Sequence, residues 1–255
     1  MESGWDVKHL LKKIVLSATY GQGSHQSLDL HGMDPENALL SRGSRRRLPA
    51  EFVRDHALSI SGLLTQRLGG PGVHPYQPAE LFGPNAIGSS RAKFTQSSGA
   101  DLYRRSLYTY WKRQVPAANM RILGADGRTT CRTRRERTNT PLQALVLLND
   151  PQFVEAARAF AERIVNEGGE SPEDRLRFGF RLATSRSIDE AELSILAGEY
   201  EDRLKEFRAD QERAKSYLAG GGEHQPDGKI NVSELAAYAA VCSLMINLDE
   251  TITTN

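Results

Sequence analysis

The sequence predicts a mainly α-helical protein: a single helical domain with a long irregular surface segment and at most a small hairpin. Apolar residues recur three and four positions apart over most of the chain, as they do on one face of a helix. Capping residues stand before several of these stretches, and in some of them a proline follows the cap directly. No run of alternating apolar and polar residues is long enough to predict a sizeable sheet.

The first part of the chain is predicted to form three helices. Apolar spacing indicates a helix over about residues 5–19, and its side chains are expected in the core. A short helix is expected to begin at Asp34-Pro35. Pro49 begins a longer one, whose apolar stripe continues to Leu68 before Gly69-Gly70-Pro71 supplies a stop.

The middle of the chain is less regular. Prolines and glycines recur too often over residues 71–99 for a long element, and large side chains such as Tyr76 and Phe94 would anchor this segment to the surface of the core. Asp101 then caps LYRRSLYTYWKR, whose spacing favours a helix, although its β-rich composition leaves a strand open. A hairpin or extended loop is expected over residues 120–130.

The last 115 residues, from Pro141 onward, are predicted to be helical. The apolar residues 235–248 are not restricted to one face, which is typical of a central helix. Four residues are predicted to be N-caps: Thr140, Asp150, Ser171 and Ser187. We assign residues 1–255 to one domain.

The charge and hydropathy patterns exclude several classes of protein. The 255 residues include 33 Lys+Arg and 32 Asp+Glu, so we expect no nucleic-acid partner, because proteins that coat nucleic acids carry a marked basic excess. No apolar run, residues 144–148 among them, is long enough for a membrane span. The first fifteen residues lack the layout of an export signal.

The sequence contains no recognisable catalytic or metal-binding motif. Cys131 and Cys242 belong to no CxxC or CxxCH pattern, which argues against zinc and covalent haem, so we expect no cofactor in this chain. The two cysteines are interpreted as buried thiols, with one disulfide as the alternative. HExxH and GxSxG are absent, and His56, between Val53 and Ile60, is interpreted as a partly buried structural histidine.

Residues 223–234, EHQPDGKINVSE, resemble a calcium-binding loop in their second half. Glu223 and Gln225 replace the preferred ligands at the first and third positions. We therefore favour a loop that ends in an ordinary helix cap.

An arginine-rich segment, CRTRRERTNTP, is the strongest candidate for a binding site. It runs directly into the predicted helix start at Thr140-Pro141, whose free N–H groups could reinforce the guanidinium groups around one anion. The alternative is a structural salt-bridge hub, with Asp126, Glu136 and Asp150 as partners. The candidate ligand-binding residues are Arg132, Arg134, Arg135, Arg137, Asn139 and Thr140.

Five blocks of the sequence carry a family resemblance. They are WDVKHLLKKIVLSATYGQ, DPENALLSRG, LYRRSLYTYWKR, RRERTNTPLQALVLLNDPQFVEAAR and LMINLDETITTN. In this order they resemble the C-terminal domain of unknown function found in planctomycete proteins with cytochrome c domains. Similar proteins carry an N-terminal haem-binding module, a second uncharacterised domain and often an export signal. The resemblance implies an extracytoplasmic location, and it implies a fragment of a longer product or a stand-alone paralogue.

Two classes of function follow, and the sequence leaves open whether the protein is an enzyme. The first is a non-catalytic interaction or scaffolding domain of an exported, cytochrome c-associated multidomain protein, with the haem-binding or second uncharacterised domain as its partner. The second is a hydrolase or binding domain for an anionic, glycan-like ligand over the arginine-rich segment.

Overall fold

The computed structural model describes residues 4–24, 32–78, 94–112, 115–131, 133–135 and 137–254. The protein is mainly α-helical, which confirms the predicted fold class. Two compact units are present, and each is described by itself: Met1–Arg47 with Thr253–Asn255, and Leu48–Ile252.

Among the described residues of the smaller unit, the amphipathic helix α1 extends over Val7–Val15. Asp6 is its N-cap and accepts a hydrogen bond from the His9 N–H at 3.1 Å. The helix is shorter than the predicted range of residues 5–19, because Trp5 has a left-handed backbone (φ 61°) and Leu16 is the C-cap. No residue of α1 is buried, so the expectation that its side chains are core residues is wrong.

Turns replace the short helix that was expected at Asp34-Pro35. The Asp34 carboxylate accepts hydrogen bonds from the backbone N–H groups of Ala38 (2.7 Å) and Leu39 (2.9 Å). A short acidic side chain that takes these donors competes with the helical hydrogen-bond pattern. The turn is completed by Arg42, which donates to the Asp34 carbonyl at 2.8 Å.

The only sheet among the described residues is a small antiparallel pair. β1 is Arg46–Arg47 and β2 is Thr253–Thr254, with Arg46 opposite Thr254 and Arg47 opposite Thr253. This agrees with the prediction of little β structure, although the two strands are distant in sequence rather than joined by a hairpin turn.

The larger unit begins with α2, Ala50–Ile60, as the proline at position 49 predicts. The helix ends eight residues before Leu68, because Ser61 is its C-cap and Gly62 adopts a left-handed conformation (φ 80°). Leu68 is 78% exposed and was wrongly placed on the buried stripe.

Eight further α-helices lie in the described part of the larger unit. They are α3 (Ala118–Ile122), α4 (Pro141–Asn149), α5 (Pro151–Glu167), α6 (Pro172–Thr184), α7 (Glu190–Ala209), α8 (Gln211–Ala219), α9 (Val232–Ile246) and α10 (Asp249–Ile252).

Three of the four predicted N-caps, at Thr140, Asp150 and Ser171, are confirmed. The fourth was misplaced by two residues, since α7 is capped by Asp189 and not by Ser187. Asp189 accepts from the Glu192 N–H at 2.8 Å, and the Glu192 carboxylate accepts from the Asp189 N–H at 3.0 Å. This reciprocal pair is a stronger cap than a lone serine.

α9 is the central helix, as its apolar composition predicts. It packs against α5, α7 and α8, and eleven of its residues are buried. Alanines at 236, 237 and 239 let neighbouring helices approach closely, while Tyr238 stacks on Tyr200 of α7 with ring centroids 4.3 Å apart.

The predictions for residues 101–130 were wrong in part. Two 3₁₀ turns, Gly99–Tyr103 and Ser106–Tyr108, replace the expected helix after Asp101. A hairpin or extended loop was expected over residues 120–130; α3 takes up its first residues, and residues 123–130 form turns and irregular backbone, in agreement with the loop alternative. Within the predicted irregular segment, the described residues 71–78 and 94–98 contain no helix or named strand. Residues 79–93 of that segment lie outside the described part of the chain.

Candidate functional site

The arginine-rich segment lies on the surface of the larger unit as irregular backbone that leads into α4. Arg134, Arg135 and Arg137 are all exposed, as are Asn139 and Thr140. Arg132 and Glu136 lie outside the described residues. The three described arginines differ in what their guanidinium groups contact.

Arg135 is held by an ion pair. Its Nη1 lies 2.8 Å and 3.0 Å from the two carboxylate oxygens of Glu51, in the first turn of α2. For this one arginine the structural interpretation was correct in kind, although none of the three expected acidic partners is the one observed.

Arg134 and Arg137 make no hydrogen bond or ion pair with any other described residue. Their charges face solvent. A salt-bridge hub therefore does not describe these two side chains.

The backbone at the start of α4 is hydrogen-bonded by the side chain of the third helical residue, Gln143, rather than left without a partner. The Gln143 side-chain oxygen accepts from the Thr140 N–H at 3.3 Å. The Gln143 amide nitrogen donates to the Ile122 carbonyl (2.9 Å) and to the Thr138 hydroxyl oxygen (3.0 Å). Gln143 thus ties the beginning of α4 to the end of α3 and fixes Thr138.

A polar pocket of about 250 Å³ opens between the end of α3 and the arginine-rich segment. It brings Arg135 and Thr138 of that segment together with Arg121 of α3. Four other candidate residues do not line the pocket: Arg134, Arg137, Asn139 and Thr140. The lining residues are Arg121, Ile122, Gly124, Ala125, Asp126, Arg135 and Thr138.

The sequence interpretation missed two of the site residues, Thr138 and Arg121. The Arg121 guanidinium group makes no hydrogen bond or ion pair within the described part of the chain. The side chain lies over Gly127, where a Cβ atom would be only 2.9 Å from Arg121 Nη1. The absence of a side chain at Gly127 therefore gives this guanidinium group its place beside the pocket.

Two buried charged clusters lie elsewhere in the larger unit. Arg54 of α2, 1% exposed, donates to Gln152 Oε1 (2.6 Å) and to the carbonyls of Leu102 (2.7 Å) and Arg104 (2.8 Å). Burial lowers the pKa of Arg54 to about 10, against the opposing effect of Asp55, so the group stays charged at neutral pH. Arg54 thereby holds the 3₁₀ turns in place.

The second cluster binds residues 220–230 to one face of α5. The fully buried Glu155 accepts at Oε1 from the Tyr103 hydroxyl (2.8 Å) and the His224 N–H (2.7 Å). Arg158 donates to carbonyls of this loop, including that of Gly221 at 3.0 Å. Glu162 accepts from His224 Nε2 and from the Asp227 N–H, both at 2.7 Å.

The calcium-like pattern is a structural loop, as favoured above. The Glu223 carboxylate accepts from the Gly99 N–H at 2.7 Å, and Glu234 pairs with Arg175 at 2.7 Å. Asn231 caps α9 by accepting from the N–H groups of Ser233 and Glu234. Within the described residues, no group of three or more His, Cys, Asp or Glu side chains is arranged to hold a metal ion.

His56 and the two cysteines have different surroundings. His56 Nε2 lies 3.0 Å from the Ala183 carbonyl oxygen, and burial lowers its pKa, which agrees with the predicted structural role. Both cysteines are free, so the disulfide alternative is wrong. Cys242 is buried as expected, whereas Cys131 is exposed, so the expectation of a buried thiol is wrong there. No helix in the described ranges has the length and apolar content that crossing a bilayer requires.

The fold and the pocket define the class: a mainly helical domain with an exposed, arginine-lined polar site. The chain belongs to the PSD1 family, described as a protein of unknown function (DUF1553), whose family model matches residues 1–200. The match includes α1, the pocket and the arginine-rich segment. No curated protein and no solved structure matches the chain.

Proposed function

We propose that this protein is a non-catalytic binding domain that recognises an anionic group with Arg121, Arg135 and Thr138. The observation that carries the proposal is the pocket itself, because it places two guanidinium groups and a hydroxyl around one cavity of about 250 Å³. Guanidinium groups bind carboxylate and sulfate oxygens with paired, charge-assisted hydrogen bonds.

The hydrogen bonds around Thr138 favour an anion as the ligand. Gln143 donates to the Thr138 hydroxyl oxygen, which leaves the hydroxyl hydrogen available for a bond directed elsewhere. An anion in the pocket would accept that bond in addition to those from Arg121 and Arg135. A cation would meet the positive charge of Arg121, while Arg135 is paired with Glu51 and the described lining contains one carboxylate, that of Asp126.

The size of the pocket limits the ligand to a small acidic group. Sites for drug-sized molecules have volumes of about 300–1,000 Å³, and this pocket is smaller. A single carboxylated or sulfated sugar unit of a longer chain fits this volume and charge. The arginines and Thr138 of the lining supply charge and hydrogen bonds to such a group.

Replacing Arg121 by glutamine is expected to weaken binding of glucuronate or a sulfated disaccharide about tenfold or more. A hydrogen bond to a charged group contributes about 1.5–3 kcal/mol, which corresponds to that loss. Isothermal titration calorimetry at low ionic strength measures the affinity, and added salt should reduce it. The melting temperature should not change, because the Arg121 guanidinium contacts no described residue by hydrogen bond or ion pair.

Arg134→Gln is the matched control for this experiment. Arg134 is also an exposed arginine without a described ion-pair partner, but it does not line the pocket. Its replacement should change the affinity less than about twofold, apart from a small effect of net charge. Equal losses for the two variants, or no binding of either ligand by the unmodified protein, would reject the site.

A second candidate is a scaffolding domain of an exported, cytochrome c-associated protein that docks a haem-binding or second uncharacterised domain. Leu142 and Leu145 of α4 favour it, because they lie one turn apart and are 55% and 54% exposed. This candidate includes an extracytoplasmic location and places any haem in the partner rather than in this chain.

If α4 is that docking surface, Leu142→Glu should abolish binding to the haem-containing domain in calorimetry. A glutamate in an apolar contact leaves a desolvated charge without a partner. Ile195→Glu on α7 is the control, since Ile195 is 71% exposed and lies on another helix. Unchanged affinity for the Leu142 variant would contradict the candidate.

A further inference from the structure

The surface of α1 is divided into two chemically distinct faces. Successive residues of a helix are rotated by about 100°, so its five aliphatic side chains fall within one arc of about 140°. We call this arc the apolar face of α1. It consists of Val7, Leu10, Leu11, Ile14 and Val15.

The apolar face is open to solvent along its whole length. Each of its five side chains is 48–66% exposed. Two aromatic residues stand just outside the ends of the helix, Trp5 at 77% and Tyr20 at 64% exposure. Exposed apolar patches of this continuity mark surfaces that bind something else.

The opposite face of α1 is uniformly basic. It carries Lys8, His9, Lys12 and Lys13, and no acidic side chain lies within Val7–Val15. Lys8 and Lys13 project at the two margins of the apolar face, as the 100° rotation places them. Lysines at such margins extend their ammonium groups toward a polar boundary while their stems lie along apolar surface.

We propose that α1 binds the surface of a membrane that contains anionic lipids. In this arrangement the apolar face enters the boundary between headgroups and acyl chains, and the lysines contact lipid phosphates. Trp5 and Tyr20 occupy the headgroup level, which is where aromatic side chains concentrate. The helix lies on the membrane rather than across it, since nine residues span about 14 Å.

The charge of the polar face is what distinguishes a lipid surface from a protein groove. A helix seated in a groove turns its polar face to solvent, where mixed charges serve equally well. On an anionic plane each lysine near the surface contributes about 1 kcal/mol, so a face with lysines and no acidic residue is favoured. The charge complementarity therefore selects anionic lipid as the occupant.

The ends of α1 support a helix that persists at such a surface. Asp6 caps the first turn through the His9 N–H, and Lys12 and Lys13 in the last turn complement the negative end of the helix dipole. A helix this short gains further stability when its apolar face is buried.

The test uses the full chain with Trp111→Phe, which leaves Trp5 as the only tryptophan. Vesicles of phosphatidylcholine alone, or with phosphatidylglycerol, are added at low ionic strength. We expect a blue shift of Trp5 emission and cosedimentation with the anionic vesicles. Lys12→Gln/Lys13→Gln should weaken binding about tenfold or more, and Leu10→Glu/Ile14→Glu should abolish it.

Two controls keep the result specific to α1. Ile195→Glu exchanges an exposed aliphatic residue on α7 and should leave binding to vesicles unchanged. Arg121→Gln should also leave it unchanged, so failure of the pocket and failure of α1 are separate results. The Leu10→Glu/Ile14→Glu variant should melt at the wild-type temperature, because neither side chain is buried.

Three results would overturn the proposal. The first is absence of binding to anionic vesicles, and the second is equal binding to neutral ones. The third is a lowered melting temperature for Leu10→Glu/Ile14→Glu, because it would show that the apolar face is covered within the protein itself.

Discussion

Replacing Arg54 by methionine should lower the free energy of unfolding by about 3–5 kcal/mol, the usual effect of removing one partner from a buried ionic network. The Arg54 side chain is 1% exposed and donates to Gln152 and to two backbone carbonyls of the 3₁₀ turns. Methionine fills a similar volume but donates nothing, so these acceptors would remain buried without partners. Urea unfolding followed by circular dichroism measures the loss.

Arg105→Gln provides the comparison. Arg105 also faces Asp55, at 3.9 Å, but its side chain is 47% exposed. An exposed pair of this kind contributes at most about 1 kcal/mol. Arg54→Lys keeps the positive charge but lacks the planar guanidinium group. Its loss of unfolding free energy should therefore lie between those of Arg54→Met and Arg105→Gln. A loss below about 1 kcal/mol for Arg54→Met would show that the turns hold without the arginine.

The Arg54 cluster also explains why the helix predicted after Asp101 does not form. Apolar spacing in LYRRSLYTYWKR suits a helix, but a helix would use the Leu102 and Arg104 carbonyls internally. Arg54 takes both of them. Arg104, itself buried, donates to the carbonyl of Pro71 at 3.0 Å. These partners lie 33–50 residues away, so local spacing carries no sign of them.

The C-terminal half was predictable because its signals are local. Thr140, Asp150 and Ser171 each cap a helix within three residues of their own position, and the proline that follows each cap fixes the first turn. The predicted cap at Ser187 was also based on a local pattern, but it was placed two residues too early. Asp189 is the cap, since it forms a reciprocal pair of hydrogen bonds with Glu192.

Only part of the candidate site could be predicted from the sequence. The arginine-rich segment was found by its charge, but a run of arginines has the same appearance whether a side chain is paired or free. Glu51, the partner of Arg135, lies 84 residues earlier. Arg121 was missed because residues 120–130 were interpreted as a hairpin or extended loop, whereas the last turn of α3 directs this side chain beside the pocket.

Gly222→Ala is expected to destabilise the protein by about 2–5 kcal/mol. A Cβ atom at Gly222 would lie 2.0 Å from Glu155 Cδ, and the buried Glu155 cannot move without losing its bonds to Tyr103 and His224. Overpacking of this kind costs about 1–3 kcal/mol. The left-handed backbone of Gly222 (φ 73°) adds about 1–2 kcal/mol for a residue with a Cβ.

Gly228→Ala is the control, because it makes the same substitution in the same loop at a position with neither a close contact nor a left-handed backbone. No atom lies within 4 Å of a Cβ built at Gly228, and its φ is not positive, so alanine should be neutral or slightly stabilising. Hydrogen exchange locates the effect of Gly222→Ala, because the amides of His224 and Asp227 donate to Glu155 and Glu162 and should lose protection first. If both alanine variants unfold at the same urea concentration, the contact of the loop with Glu155 contributes nothing to stability.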